Sequence, residues 1–190
     1  MSISNFQNTS YVVLDRDGVI NFDSKDYIKS PAEWEPIPGS VEAIAKLSAA
    51  GIKVFVASNQ SGLGRGYFSL DTLNSIHEKM QTAVASAGGK ITGIHFCPHG
   101  PDAGCDCRKP MPGLLREIER EHNISLAGCP FVGDSQRDLD AAIAAGCTPV
   151  LVRTGNGQST EDAMQDTDSV EVFDNLLAFS VALLEAESAR

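Results

Sequence analysis

Short apolar runs alternate along this chain with segments in which apolar residues recur every three or four positions. The run Tyr11–Leu14 is uninterrupted, as expected of a strand buried on both faces of a parallel sheet. Similar runs occur at residues 52–57, 91–96, 130–134, 149–152 and 170–173. Helical spacing is found at residues 40–51, 70–87, 113–118, 139–146 and 174–184. This alternation predicts an α/β fold with a parallel sheet covered by helices on both faces.

The predicted architecture is a single doubly wound, Rossmann-like sheet within one domain spanning residues 1–190, with no long insertion. Ser40 is expected to cap the first helix and Asp174 the last. Three glycines at 62, 64 and 66 predict a loop after the second strand, and residues 155–168 predict a polar connection. Trp34 is expected to anchor the long connection after the first strand.

Composition narrows the function classes. The 190 residues are 42% hydrophobic and 21% charged, which is ordinary for a globular protein. No run approaches the roughly 18 apolar residues of a membrane span, and the polar first ten residues lack the pattern of a signal peptide, so we expect a cytoplasmic protein without a membrane partner. The net charge of −10 disfavours nucleic acid as a partner, including the possibility of a zinc-stabilised nucleic-acid-binding domain.

Polar side chains follow several predicted strands, at the edge where ligands bind in such sheets. They are Asp15 and Asp17, Ser58, Lys109 and Asp134. The adjacent carboxylates of Asp15 and Asp17 repel each other unless a cation or a shared proton neutralises them. We therefore expect a divalent cation at this edge of the sheet, with Asp15 and Asp134 holding Mg²⁺. With a hydroxyl and an ammonium group nearby, the set suits phosphoryl transfer, in which Asp15 attacks phosphorus and Asp17 is the general acid and base. Each residue alone has a simpler interpretation, such as a turn, a surface lysine or a helix cap.

A second cluster contains Cys97, His99, Cys105 and Cys107 within eleven residues. Three thiolates and an imidazole fill a zinc tetrahedron without leaving a position for water, so structural Zn²⁺ is expected in the small loop 97–107. A redox pair of Cys105 and Cys107, or unligated thiols, are the alternatives. Cys129 and Cys147 are interpreted as packing residues.

Together these motifs resemble the haloacid dehalogenase superfamily of phosphotransferases. The matching features are the DRDGVIN stretch from Asp15, Ser58, Lys109 and the VGDSQRD stretch from Val132, across residues 11–153. The resemblance implies that Asp15 is the nucleophile and Asp17 the general acid and base. It also implies that Asp15, the backbone carbonyl of Asp17 and Asp134 bind Mg²⁺. Members of this superfamily often carry a cap domain over the site, but this chain has no long insertion to form one, so we expect a capless domain.

The Cys/His loop followed by Arg108-Lys109-Pro110 narrows the resemblance to two families of capless phosphatases. One acts on heptose bisphosphates for lipopolysaccharide core or related glycans, and the other acts on histidinol phosphate. The stretches NQSGLGRG, KPMPG and LVRTG favour the heptose family, whereas the five-residue spacer between His99 and Cys105 resembles the histidinol-phosphate loop. A phospho-acceptor signalling module is the alternative from a different class, although Asp17 argues against it.

For the heptose family, the resemblance implies a small-molecule sugar bisphosphate as substrate. Arg108 is then expected to recognise the substrate, and the sugar to contact Ser58, Asn59, Gln60, Ser61 and the connection Asp23–Tyr27. A second phosphate needs a second cation, for which Arg65 is the first candidate and Arg16 and Arg153 are weaker ones. The chain is expected to be a monomer.

Overall fold

The computed structural model describes residues 9–164 and 170–188. Its six strands form one parallel sheet in the order β3-β2-β1-β4-β5-β6. The strands are β1 (Tyr11–Leu14), β2 (Lys53–Asn59), β3 (Ile91–Cys97), β4 (Pro130–Gly133), β5 (Thr148–Val152) and β6 (Glu171–Phe173). The predicted doubly wound sheet is therefore confirmed, and its strand order reverses between β1 and β4.

Seven α-helices connect or follow the described strands. They are α1 (Ser40–Ala49), α2 (Ser61–Gly64), α3 (Leu70–Ser86), α4 (Gly113–His122), α5 (Gln136–Ala145), α6 (Gly157–Ala163) and α7 (Leu176–Ser188). In the part of the chain that the structure describes, no helix is long and apolar enough to cross a membrane.

The sheet separates two apolar layers, because alternate strand residues point to opposite faces. Val12 and Leu14 pack in the layer that contains α1, α3 and α7, whereas Val13 packs with Phe131 against α4 and α5. Trp34 lies in the first layer as predicted, 1% exposed, and its Nε1 donates to Asn21 Oδ1 at 2.9 Å. The strands buried on both faces explain the uninterrupted apolar runs in the sequence.

The helix ends correct two predicted caps. Ser40 is the first residue of α1 rather than its cap, because Gly39 occupies that position with φ 86° and Ser40 Oγ donates to Ile20 O at 2.6 Å. At α7, Asn175 Oδ1 accepts from Ala178 N at 2.9 Å, whereas Asp174 pairs with Arg153. Asn175 therefore caps α7 in place of the predicted Asp174.

Two predicted loops contain helices. The glycine-rich segment after β2 begins with α2, and the polar connection 155–168 contains α6. Short helices in polar or glycine-rich segments are difficult to predict, because tertiary contacts rather than intrinsic helix propensity stabilise them. Residues 165–169 of that connection, and residues 1–8 of the N-terminus, lie outside the described residues.

Candidate active site

The carboxyl ends of β1, β2 and β4 open into one cavity of about 260 Å³. β1 and β4 are neighbours at the point where the strand order reverses, which is where open α/β sheets bind ligands. All twelve residues predicted for the phosphate, sugar and magnesium sites line this cavity: Asp15, Asp17, Asp23, Tyr27, Ser58, Asn59, Gln60, Ser61, Arg65, Arg108, Lys109 and Asp134.

Lys109 is the buried cation of the site, only 3% exposed. Its Nζ lies 2.8 Å from Asp15 Oδ1 and 2.6 Å from Asp138 Oδ1, and it donates to Ala57 O at 2.8 Å. Burial alone would lower the pKa of this ammonium group, but the carboxylates of Asp138 and Asp15 raise it above its ordinary value. Lys109 is therefore held as a cation beside Asp15.

Asp15 lies at the end of β1, where its backbone N donates to Val132 O of β4 at 2.9 Å. Its Oδ1 accepts from the backbone N of Arg16 at 2.7 Å, in addition to the contact with Lys109. Burial raises the pKa of Asp15 well above its ordinary value; Lys109 opposes this shift, and the charges of Asp138 and Asp134 add to it. The Asp15 carboxylate is thus held in place, and the single positive charge of Lys109 does not neutralise the combined negative charge of Asp15, Asp134 and Asp138.

Asp134 follows β4 and is not a helix cap, because Ser135 caps α5. Its Oδ2 accepts from the backbone N of Asn156 at 2.8 Å and from Asn156 Nδ2 at 3.1 Å. Burial raises the pKa of Asp134 to about 6, against the effect of the Asn156 hydrogen bonds. A Cβ on Gly18 (φ 83°) or Gly155 (φ 59°) would collide with this carboxylate, so both glycines make room for it.

Asp138 was missed by the sequence reasoning. It lies in the first turn of α5 and completes a capping box, in which its Oδ2 accepts from Ser135 N at 3.1 Å and from Ser135 Oγ at 2.6 Å. Carboxylate oxygens of Asp15, Asp134 and Asp138 lie within 4.8 Å of one another. Three buried carboxylates with one ammonium group fit a divalent cation bound through oxygen. The spacing of four residues between Asp134 and Asp138 was the available signal.

Asp17 is held by nitrogen donors on both of its oxygens. Arg16 contributes three contacts at 3.0–3.1 Å, Asn21 Nδ2 donates to Oδ1 at 2.9 Å, and Gln60 Nε2 donates to Oδ2 at 2.9 Å. Burial would raise the pKa of Asp17, but Arg16, Asn21 and Gln60 together lower it. The Asp17 carboxylate is therefore held in its charged form at a fixed position in the cavity.

Two arginines considered for a second anion are committed elsewhere. Arg16 is 1% exposed, and its guanidinium contacts Asp17, Gln60 Oε1 at 3.1 Å and His77 Nε2 at 3.3 Å. Arg153 pairs with Glu161 at 2.7 Å and with Asp174 at 2.6 Å. Buried and surface carboxylates thus occupy both groups, which corrects that part of the prediction. The spacing of residues in the sequence did not predict the contact between Arg16 and His77, which belongs to α3.

The end of β2 supplies Ser58 and Asn59. Ser58 is 1% exposed, and its Oγ accepts from Gln60 Nε2 at 2.7 Å. The amide of Asn59 bonds with the backbone of Lys109, whose N donates to Oδ1 and whose O accepts from Nδ2, both at 3.0 Å. Asn59 therefore lines the cavity while it fixes the segment that carries Lys109.

Three arginines line the outer part of the cavity: Arg65, Arg108 and Arg137. Arg65 and Arg137 are exposed, and Arg108 Nη1 donates to His99 O at 3.2 Å. Arg137 was not predicted, although it lies in the VGDSQRD stretch. Cations in this position suit an anionic group at a distance from the buried carboxylates.

The Cys/His loop brings its four candidate ligands together. Cys97 Sγ lies 3.2 Å from Cys107 Sγ and 3.7 Å from Cys105 Sγ, and His99 Nδ1 lies 3.2 Å from Cys107 Sγ and 3.6 Å from Cys97 Sγ. All four ligand atoms lie within 4.8 Å of one another. Such separations suit a tetrahedral ion with Zn–S bonds of about 2.3 Å. Cys129 and Cys147 are buried in the apolar layer beneath and are not members of this group of ligand atoms, as expected of packing residues.

Comparisons with known proteins agree with this geometry. A family model described as HAD-hydrolase-like matches residues 106–179. A D-glycero-β-D-manno-heptose-1,7-bisphosphate 7-phosphatase of Pseudomonas putida is 54% identical over 174 residues, covering 91% of this chain and 98% of the relative. One of Pseudomonas aeruginosa is 53% identical, covering 93% and 98%.

A solved structure of a phosphatase also matches this chain in fold and sequence. The D,D-heptose 1,7-bisphosphate phosphatase of Bordetella bronchiseptica, complexed with magnesium and phosphate, matches with a TM-score of 0.90 and 51% identity. The match covers 93% of this chain and 99% of that one. The chain therefore belongs to the HAD-like phosphatase family that contains these heptose-bisphosphate phosphatases.

Proposed function

We propose that this enzyme hydrolyses the 7-phosphate of D-glycero-β-D-manno-heptose 1,7-bisphosphate and releases heptose 1-phosphate. The observation that carries this proposal is the convergence of Asp15, Asp17, Lys109 and Asp134 on one cavity whose outer part contains three arginines. Relatives at 53% and 54% identity bear the name of this activity. They favour the heptose bisphosphate over histidinol phosphate, and the β anomer over the α anomer.

The buried carboxylates would hold Mg²⁺. Asp15, Asp134 and the backbone carbonyl of Asp17 are the proposed ligands, with Asp138 beside them. When bound, the ion neutralises charge on the phosphate oxygens. The phosphate complex of the Bordetella bronchiseptica enzyme contains magnesium, which supports this choice of cation.

Hydrolysis then takes two steps on the carboxylates of this chain. In the first step Asp17 acts in its acid form: an oxygen of Asp15 attacks phosphorus, and the bond from phosphorus to the C7 oxygen breaks as that oxygen takes the Asp17 proton. The resulting aspartyl phosphate is attacked at phosphorus by water, which gives its proton to Asp17. The bond between phosphorus and Asp15 breaks, inorganic phosphate leaves, and both carboxylates return to their starting states.

Other side chains stabilise the transferred group. The Lys109 ammonium group and the Ser58 hydroxyl are proposed to stabilise the charge that builds on the equatorial oxygens. Lys109 would act as a nearby positive charge, since Asp15, Asp138 and Ala57 O already accept from its Nζ. Arg65, Arg108 and Arg137 are proposed to bind the 1-phosphate, because a second dianion needs cations away from the catalytic carboxylates. The sugar would lie between them, along Asp23, Tyr27, Gln60 and Ser61.

Zinc in the Cys/His loop is proposed to be structural. Cys97, His99, Cys105 and Cys107 fill a tetrahedron, so no ligand position remains for a reacting water. Arg108 and Lys109 follow the last cysteine directly, and Arg108 also bonds with His99 O. The bound ion would thus fix the segment that presents two cations to the substrate.

We further propose a single capless domain across residues 1–190, acting as a cytoplasmic monomer that serves the synthesis of surface glycans. The two longest connections among the described elements, residues 15–39 and 98–112, each contain only one short 3-10 turn, which supports the absence of a cap. Free thiols suited to metal binding support a reducing compartment.

The deciding experiment measures phosphate release with Mg²⁺ from the β anomer and the α anomer of heptose 1,7-bisphosphate and from histidinol phosphate. The proposal expects the largest kcat/KM for the β anomer, with many turnovers per enzyme. A preference for histidinol phosphate would retain the mechanism and refute the substrate. A single phosphorylation event without turnover would instead indicate a phospho-acceptor module.

A further inference from the structure

A second group of metal-binding side chains lies next to the Cys/His loop, on the two elements that the loop joins. His95 belongs to β3, and Glu121 and His122 belong to the end of α4. One ligand atom from each lies within 4.8 Å of the other two. Because strand side chains alternate, Gly93, His95 and Cys97 face the same side of the sheet, toward α4.

The two imidazoles both lie against Gly93. A Cβ built on Gly93 would lie 2.9 Å from His122 Nε2 and 3.1 Å from His95 Nε2. The missing side chain at position 93 therefore leaves a space that both Nε2 atoms border. The rings meet edge to face with centroids 5.6 Å apart, and Phe55 packs on His122 at 4.7 Å.

A carboxylate orients the buried imidazole. His95 is 5% exposed, and its Nδ1 lies 3.2 Å from Glu117 Oε1 and 3.9 Å from Glu121 Oε2. A proton on Nδ1, donated to Glu117, leaves the lone pair on Nε2. This carboxylate–imidazole pairing is the arrangement that fixes the tautomer of metal-binding histidines.

The surroundings favour a cation and let one enter. His122 is the last residue of α4, where the helix dipole presents its negative end. Glu121 is 53% exposed and Glu117 34%, so the cluster is open to solvent on the side of the helix. Both glutamates lie on one face of α4, since they are four residues apart.

We propose that His95, Glu121 and His122 form a second transition-metal site, separate from the catalytic cavity and from the Cys/His loop. Two imidazoles and a carboxylate suit Zn²⁺ and similar divalent ions, and they suit Mg²⁺ poorly. The ion would join β3, which is the edge strand of the sheet, to α4. The site thus strengthens the base of the loop that carries Lys109, and it does so whatever substrate the cavity takes.

Cobalt tests this proposal in the zinc-loaded protein under saturating Mg²⁺. Because Co²⁺ also competes with Mg²⁺ for the catalytic carboxylates, the signal of this site is the saturable equivalent, with weak visible absorption from nitrogen and oxygen ligands, that substitution of its ligands removes. The intense near-ultraviolet band of a cobalt–thiolate bond should not appear. Bound Co²⁺ should also raise the Tm, because a ligand that binds only the native state stabilises it.

Substitutions at exposed ligands give the matched comparison. Glu121→Gln and His122→Gln should each weaken Co²⁺ binding by about tenfold or more, and Glu117→Gln should weaken it by roughly tenfold through His95. Glu185→Gln, an exposed glutamate on α7, should bind Co²⁺ like the parent. The proposal is overturned if no saturable binding occurs up to millimolar Co²⁺, if the thiolate band appears, or if the cluster variants bind like Glu185→Gln. Equal Tm values without Co²⁺ would show that these variants fold.

Discussion

Asn59 bonds with the backbone of Lys109 in both directions, accepting from its N and donating to its O at 3.0 Å. The residues are fifty positions apart, at the end of β2 and after the Cys/His loop. This pair joins the sheet to the segment that supplies the buried ammonium group of Lys109 to the cavity. The position of Lys109 Nζ between Asp15 and Asp138 therefore depends on a neutral amide that need not touch the substrate.

Replacing Asn59 should mainly lower kcat. Asn59→Ala removes both bonds to the backbone of Lys109, and a displacement of about 1 Å at a charged catalytic group can cost roughly 100-fold. We expect a fall in kcat of roughly tenfold to 100-fold with a smaller change in KM. Steady-state kinetics decide this, with exposed Asn74→Ala on α3 as the control. A change confined to KM would make Asn59 a substrate-binding residue instead.

Asp15→Asn should abolish turnover while the protein stays folded. The amide cannot attack phosphorus to form the aspartyl (acyl) phosphate, so we expect kcat to fall by roughly 10⁴-fold or more. Burial and two neighbouring carboxylates already make the charged form unfavourable, so the Tm without Mg²⁺ should not fall. Exposed Asp162→Asn on α6 is the control. Near-parental activity in Asp15→Asn would remove the nucleophile assignment.

Cys107→Ser should lose zinc and stability before it loses chemistry. Three remaining ligands hold the ion weakly, so the purified variant should contain less than one equivalent, and its Tm should fall by roughly 5 °C or more. Metal analysis and thermal unfolding check both values. Cys147→Ala, a buried cysteine away from the loop, should keep its zinc. Stoichiometric zinc with an unchanged Tm in Cys107→Ser would contradict a structural site at this loop.

His77 should make the fold less stable as the pH falls from about 6.5 to about 4. Burial and the adjacent Arg16 lower the pKa of His77 to about 4, although Asp17 acts in the opposite sense. The unfolded chain takes up a proton near pH 6.5 and the folded chain does not, so this penalty is absent above that pH and grows on acidification. At pH 5 it amounts to about 2 kcal/mol.

Denaturant unfolding at pH 7.5 and pH 5 isolates this contribution. His77→Gln keeps a polar group near Arg16 but cannot titrate, so it should lose about 2 kcal/mol less than the parent between these two pH values. His99 is unsuitable as a control because it belongs to the Cys/His loop, so exposed Glu78→Gln on α3 serves instead. Equal losses in the parent and in His77→Gln would show that another group carries the acid sensitivity.

Arg137→Gln should distinguish the two phosphates of the substrate. If this exposed guanidinium group binds the 1-phosphate, its loss should raise KM for the bisphosphate by about tenfold. KM for a heptose 7-phosphate without the 1-phosphate should not change. Arg65→Gln gives the parallel measurement at the other side of the cavity. Equal effects on both substrates would assign these arginines to general attraction of anions.

Most of the strands and helices could be predicted because the hydrophobic pattern of each one is contained within its own short stretch of sequence. Apolar runs such as Tyr11–Leu14 can only be buried on both faces of a sheet, and the helical periods between them require parallel strands joined by crossovers. The predicted elements that failed are those held by distant partners. Ser40 bonds with Ile20 rather than capping its own helix, and α6 forms in a polar stretch whose composition carries no periodic signal.

The residues that line the cavity and those that cluster in the Cys/His loop could be predicted because their spacing in the sequence indicates their chemistry. Asp15 and Asp17 are two residues apart, and four candidate metal ligands occupy eleven positions, so one sequence window shows each group. Asp138 and His77 escaped because their roles arise from contacts with Lys109 and Arg16, which are distant in sequence. The local sequence contains no pattern from which the partner of a buried charged side chain could be predicted.

The sequence by itself determined the order of strands and helices, the reactive carboxylates and the candidate zinc ligands, because each follows from hydrophobic period or from spacing. Only the tertiary structure decided that Arg16 is buried against Asp17, that Asn59 holds Lys109, and that His95 meets His122 above Gly93. The physical reason is that these pairs depend on distances between separate elements, and packing of the whole sheet and its helices sets those distances.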